Sequence, residues 1–117
     1  MAKLVDQPAQ IKTTDHKIIN EFIGRANSKT SSVSIALLES PVGWKEPGQV
    51  PGFAEYSVVL EGILHVETKT GSFDVNAGQA IIVEKDEWVR YSTPKKWTKY
   101  LAVCIPAFSP DKVYQDE

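Results

Sequence analysis

A single carboxylate heads an apolar run in Pro51-Gly52-Phe53-Ala54-Glu55-Tyr56-Ser57-Val58-Val59-Leu60-Glu61-Gly62. Valine and tyrosine favour extended backbone, because β-branched and aromatic side chains fit a pleated, half-buried surface. Side chains on a strand alternate between faces, so Glu55, Ser57 and Val59 share one face and Tyr56, Val58 and Leu60 the other. Both faces carry apolar residues, so both are expected to be covered, with the Glu55 carboxyl at or beside an interior. A charge placed there is costly without a partner. Backbone amides, Lys45, Arg90 and Tyr91 are the candidates for a purely structural partner.

The other apolar runs are short and separated by turn residues. Ser31 to Glu39 alternates, with Val33, Ile35 and Leu37 on one face and Ser32 and Ser34 on the other. Ile63 to Thr68 and Ser72 to Val75 read as a hairpin around Lys69-Thr70-Gly71. Gln79 to Val83, Trp88 to Thr93 and Trp97 to Ile105 read as further strands, each bounded by Gly, Pro or charged turns. The segment from Ser40 to Phe53 holds three prolines and three glycines. It reads as a long loop rather than a central strand, with Trp44 either plugging the open end of a core or stacking on a ligand.

Near the N-terminus, Thr14-Asp15 resembles a helix start, and Ile18, Ile19, Phe22 and Ile23 follow at helical spacing, with Gly24 or Asn27 to end the helix. Residues 1–12 read as an extended arm and 106–117 as a proline-broken tail. A chain of 117 residues suits one domain with one core. About eight short strands with turns between them imply an all-β sandwich or barrel.

Net charge is −2, which offers no broad basic surface for nucleic acid or anionic membrane. No apolar run approaches the length of a membrane span. Nothing in the first residues reads as a secretion signal, and the one cysteine, Cys104, rules out an internal disulfide. The expected location is therefore cytoplasmic. Cys104 reads as a packed thiol, and His16 and His65 as surface or structural residues.

Spacing and hydrophobic pattern over about residues 30–106 resemble the cupin superfamily. Its first motif ends in Glu, six residues and Gly, as Glu55 and Gly62 do here, with Gly43 at the opening glycine. Its second motif opens at Gly78 and places Glu84-Lys85-Asp86 in the Pro-X-Gly slot, Val89 on the histidine and Thr93 on the asparagine. The resemblance implies a double-stranded β-helix, a jelly-roll barrel; with the short N-terminal helix read above, the expected chain is a single domain over 1–117. It also implies that Glu55, Val89 and Tyr91 face the barrel interior.

The motif letters diverge where members of that superfamily hold a metal. Their two first-motif histidines fall on Gln49 and Pro51, or on Gly48 and Val50 with a longer gap, and the second-motif histidine on Val89. Glu55 alone is kept. One carboxylate and one amide oxygen suit a transition metal poorly, so no metal cofactor is expected. An ion would need Glu55 together with Gln49 or Glu46. Without a cation, burial raises a carboxyl pKa and equips it for proton transfer near neutrality.

The expected function is binding of a small polar ligand, a sugar or carboxylic acid, with metal-free proton transfer of an isomerase or epimerase type. Glu55 and Tyr91 are the candidate catalytic residues, and Gln49, Trp44, Ser57 and Val89 the candidate ligand contacts. A dioxygenase-like metal enzyme with unusual ligands and a non-catalytic sensor or partner module are the alternatives. Val58, Leu60 and Trp88 face away from the interior, so a homodimer is expected to cover them.

Overall fold

The computed structural model describes residues 1–116 and contains twelve strands with almost no helix. The strands are β1 (Ala9–Ile11), β2 (Ile18–Ile23), β3 (Ser34–Ser40), β4 (Trp44–Lys45), β5 (Gln49–Pro51), β6 (Ala54–Glu61), β7 (Ile63–Thr68), β8 (Gly71–Asn76), β9 (Ala80–Val83), β10 (Val89–Thr93), β11 (Thr98–Ile105) and β12 (Val113–Gln115). One sheet runs β1-β2-β3-β11-β6-β9 and the other β12-β5-β10-β7-β8, with β4 also paired to β10. All pairings are antiparallel. The two sheets enclose one core in an all-β jelly-roll barrel of the cupin type.

Alternation sets what the core receives. On β6, Ser57 and Val59 are buried while Val58 and Leu60 are exposed. On β7, Leu64 and Val66 are fully buried and His65 points outward, where its Nδ1 lies 2.8 Å from Asp74 Oδ1. On β10, Val89, Tyr91 and Thr93 point inward, and Arg90 pairs with Glu67 on the outside. Val59, Leu64, Val75, Val83 and Val89 fill one part of the barrel, where apolar burial supplies the main stabilisation.

Three expectations change. Ile18–Ile23 is a strand, not a helix. Ile18, Ile19 and Ile23 pair with Glu39, Leu38 and Ile35 on β3, while β1 closes the other edge. Long-range pairing and β-branched side chains override a helical spacing that spans only six residues. Asp15 caps no helix: it accepts from the Lys17 N–H at 3.2 Å and from the Trp44 indole at 2.7 Å. The proline-rich stretch after Ser40 is also less irregular than its composition suggests. Its β5 lies between β12 and β10, short enough that Pro51 ends it. The C-terminal tail docks on its own barrel, with Tyr114 paired to Val50.

Gly62 joins β6 to β7 at φ +86, and a β-carbon there would overlap the Trp97 carbonyl oxygen and crowd Thr98. The Thr98 hydroxyl accepts from the Ile63 N–H at 3.1 Å, so the close approach ties the start of β7 to β11. Gly43 has a similar φ of +84 and open space around it. Urea denaturation should show Gly62→Ala losing about 3 kcal/mol or more, from left-handed strain plus the clash, and Gly43→Ala only about 1 kcal/mol. Equal losses would remove the close approach as the reason for Gly62.

Candidate functional site

A cavity of about 380 Å³ occupies the part of the barrel that the apolar core leaves open. Its position follows from register. Cys104 near the end of β11 pairs with Ser34 on one side and Glu55 on the other, and all three line the cavity. From the opposite sheet, the Tyr91 hydroxyl donates to Glu55 Oε1 at 2.8 Å, bridging the gap between the sheets. The Cys104 sulfur lies 4.0 Å from the other carboxylate oxygen.

Two further polar groups enter from loops. Lys17 stands at the turn before β2 and points into the cavity. Its Nζ lies 4.1 Å from the centre of the Trp44 ring and 5.6 Å from that of Tyr100, distances suited to cation–π attraction. The turn is held by the Asp15–Trp44 hydrogen bond, by Thr13 Oγ1 donating to the Lys17 carbonyl at 2.6 Å, and by a left-handed His16 at φ +67. Glu46 lies between β4 and β5, anchored by its N–H to the Tyr91 carbonyl at 3.3 Å. The Gln49 amide donates to Glu46 Oε1 at 3.3 Å.

Burial and mutual charge set the protonation states. Desolvation pushes Glu46 up to about 7, against the opposing pull of Lys17, with the Glu55 charge adding to the rise. Burial also raises Glu55, although the Tyr91 hydrogen bond and Lys17 act the other way. Desolvation disfavours the Lys17 ammonium, but Tyr100, Glu46 and Glu55 together outweigh it and hold its pKa above the ordinary lysine value. Burial first, and the neighbouring carboxylates second, raise Tyr91 well above the ordinary phenol value. Burial raises Tyr100 as well. It also pushes the Cys104 thiol far up, so this group is a packed thiol and not a nucleophile. Near neutrality the cavity therefore holds a charged lysine, two neutral phenols and, at Glu46 and Glu55, carboxyl groups shifted toward the protonated form.

Among the residues expected from sequence, Glu55, Tyr91 and Gln49 line the cavity together. Three expected ligand contacts do not reach it. The Trp44 indole is buried and its face is covered by Lys17. Ser57 faces inward but is fully buried, its hydroxyl without a partner among the described residues. Val89 packs in the apolar core. Of the structural partners open to Glu55, Tyr91 is the one it takes, since Arg90 is engaged with Glu67 on the outer face and Lys45 is exposed. Lys17 and Tyr100 escape the sequence reading. The alternation of Lys17, Ile19 and Glu21, all of which line the cavity, is the signal a strand reading of this segment would have used.

The donor set does not suit a metal ion. No imidazole lines the cavity, and no group of three or more His, Cys, Asp or Glu among the described residues is arranged to hold one. Glu55 spends one oxygen on Tyr91, Glu46 is tied to Gln49, and Lys17 brings a competing positive charge to the same space. No helix among the described residues is long and apolar enough to cross a membrane.

No family model matches the chain. It is 35% identical over 107 residues to the endoribonuclease YbeY of Myxococcus xanthus, a match covering 91% of this chain but 36% of that protein. The chain thus spans about a third of the length of that curated relative. Among solved structures, a Streptomyces protein, PAC13, determined with uridine, superposes with a TM-score of 0.79 over all of this chain and 93% of its own, at 11% identity. Oxalate decarboxylase from Bacillus subtilis matches 98% of this chain and 33% of its own length, with a TM-score of 0.77 and 14% identity. A putative ethanolamine utilization protein Q from Salmonella typhimurium matches 79% of this chain and 71% of its own, with a TM-score of 0.63 and 21% identity. These likenesses establish the cupin fold.

The raised carboxyl pKa carries a defined sign. Glu46 binds its proton more tightly in the folded state, so folding loses stability as pH rises from its ordinary 4.5 through about 7. Glu55 acts in the same direction. The urea midpoint should therefore fall between pH 5 and pH 8, and Glu46→Gln should flatten part of that decline. A midpoint that rises across this interval would contradict the assignment.

Proposed function

We propose that the chain binds a small polar ligand inside the barrel and moves a proton on it without a metal, in the manner of an isomerase or epimerase. The observation behind this reading is the convergence of Lys17, Tyr100, Glu46 and the Glu55–Tyr91 pair on one cavity. Glu46, with its pKa near 7, is matched to proton abstraction at neutral pH, where a catalytic base works best. The Lys17 ammonium supplies positive charge to an oxygen that gains negative charge, and the Tyr91 and Tyr100 hydroxyls are further donors to it. Glu55 holds Tyr91 in place. Ile11, Ile19, Ala36, Leu38 and Val113 supply an apolar wall for the body of the ligand. The volume lies at the small end of ligand pockets, which run from roughly 300 to 1,000 Å³. PAC13, determined with uridine, makes nucleosides reasonable first compounds beside simple sugars.

The proposed assembly is a homodimer through the outer face of the β1–β9 sheet. Rows of apolar side chains cross four adjacent strands there: Ile82, Tyr56, Val103 and Ile35 in one row, with Val58, Leu101 and Leu37 in the next. Lys99 sits between Glu39 and Glu61 at one end of this face. A second copy brings apolar rows against apolar rows and the alternating charges within reach of their opposites. Light scattering should give twice the monomer mass for the wild type and the monomer mass for Leu101→Lys. A monomeric wild type at micromolar concentration would reject this interface.

Proton transfer is tested by incubating the protein in deuterium oxide with a panel of sugars and nucleosides and following carbon-bound deuterium by mass spectrometry. At least one compound should exchange. Glu46→Gln and Lys17→Met should each slow that exchange by about 10²-fold or more. Binding without exchange for every compound would leave a binding module in place of an enzyme.

A further inference from the structure

Three carboxyl side chains, Glu21, Glu46 and Glu55, line the cavity with one ammonium, Lys17. That ammonium is already engaged. It lies over the Trp44 ring, beside Tyr100, in the field of Glu46 and Glu55. Glu21 is fixed from behind, since its Oε2 accepts from the Ala26 and Asn27 N–H groups at 2.9 and 3.0 Å.

Resting on the function proposed above, we infer that the ligand carries no negative charge: a hydroxyl- or carbonyl-bearing compound with an apolar or ring-shaped body, not a carboxylate or phosphate. A ligand anion would bring negative charge into a cavity where three carboxyl groups already surround the one lysine, and like charges brought together in a buried site are strongly disfavoured. A neutral carbonyl oxygen, by contrast, accepts from Lys17 or from a phenol, and a neutral hydroxyl donates to Glu46. The ligand's polar groups then gain partners without adding charge to the cavity. The remaining wall, with Ile11, Ile19, Ala36 and Phe108, asks for carbon rather than further polar atoms. Of the two ligand classes expected from sequence, the sugar-like one fits and the carboxylic acid does not.

The test uses sets of compounds that share a skeleton and differ in charge. An aldose and its uronic acid form one set, and a nucleoside with its 5′-monophosphate another. Binding to the full chain is followed by calorimetry and ligand-observed NMR at pH 7. The neutral member of the set that binds should do so about tenfold or more tightly than its anionic counterpart. Glu46→Gln, which removes one ionisable carboxyl, should narrow the discrimination against the anion to about threefold or less. An anionic member binding as tightly as the neutral one would overturn the inference and leave the ligand-binding reading standing. Absence of binding by every member would remove that reading, and the inference with it.

Discussion

Lys17 is the cation beside which Glu46 and Glu55 share one cavity. Buried carboxylates without a counter-charge take up protons or force the surroundings open. Here the ammonium, the Tyr91 hydroxyl and the Gln49 amide distribute themselves over Glu46 and Glu55. The lysine is itself held by a turn that Asp15 and Thr13 fasten to the indole of Trp44 and to the Lys17 backbone. The position of the N-terminal strand, the covered face of Trp44 and the protonation of the cavity wall are thus parts of one arrangement.

Where the resemblance to the cupin superfamily implies a metal centre, this barrel keeps the Glu55 carboxylate and offers it a phenol and a lysine in place of imidazoles. A lysine ammonium and a metal ion both supply positive charge to an oxygen. The ammonium also carries protons and has no open coordination positions, which directs the chemistry toward proton transfer and hydrogen bonding. The curated relative is about three times as long as the matched stretch, and its ribonuclease name belongs to that longer protein. The site geometry therefore carries the functional reading.

The strands near the site were legible because alternation acts locally. Glu55, Ser57 and Val59 on β6, and Val89 and Tyr91 on β10, face inward as a period of two requires. Where those residues lie along the barrel was not legible. Ser57 and Val89 share their face with the site residues yet fall on the packed side of the boundary between core and cavity. The segment after Thr14 misleads for a different reason. Apolar residues at 18, 19, 22 and 23 match a helix over a window too short to separate the two periods. Only pairing to β3 decides, and a partner strand whose paired residues lie 12 to 21 positions along the chain leaves no local mark. Reading that segment as a helix hides Lys17, whose role depends on its alternation with Ile19 and Glu21. Tyr100 was counted among the apolar residues of its strand, although its ring borders the cavity beside Lys17.

The most direct test is an NMR titration of Lys17 with isotope-labelled lysine side chains, assigned by comparison with Lys17→Met. The Lys17 signal should show the ammonium form through neutral pH and beyond the ordinary lysine value of 10.5. It should also shift near pH 7 as Glu46 titrates, and that inflection should vanish in Glu46→Gln. A Lys17 that loses its proton below neutrality, or that titrates like the exposed lysines with no response to Glu46, would contradict the charge arrangement proposed for this barrel.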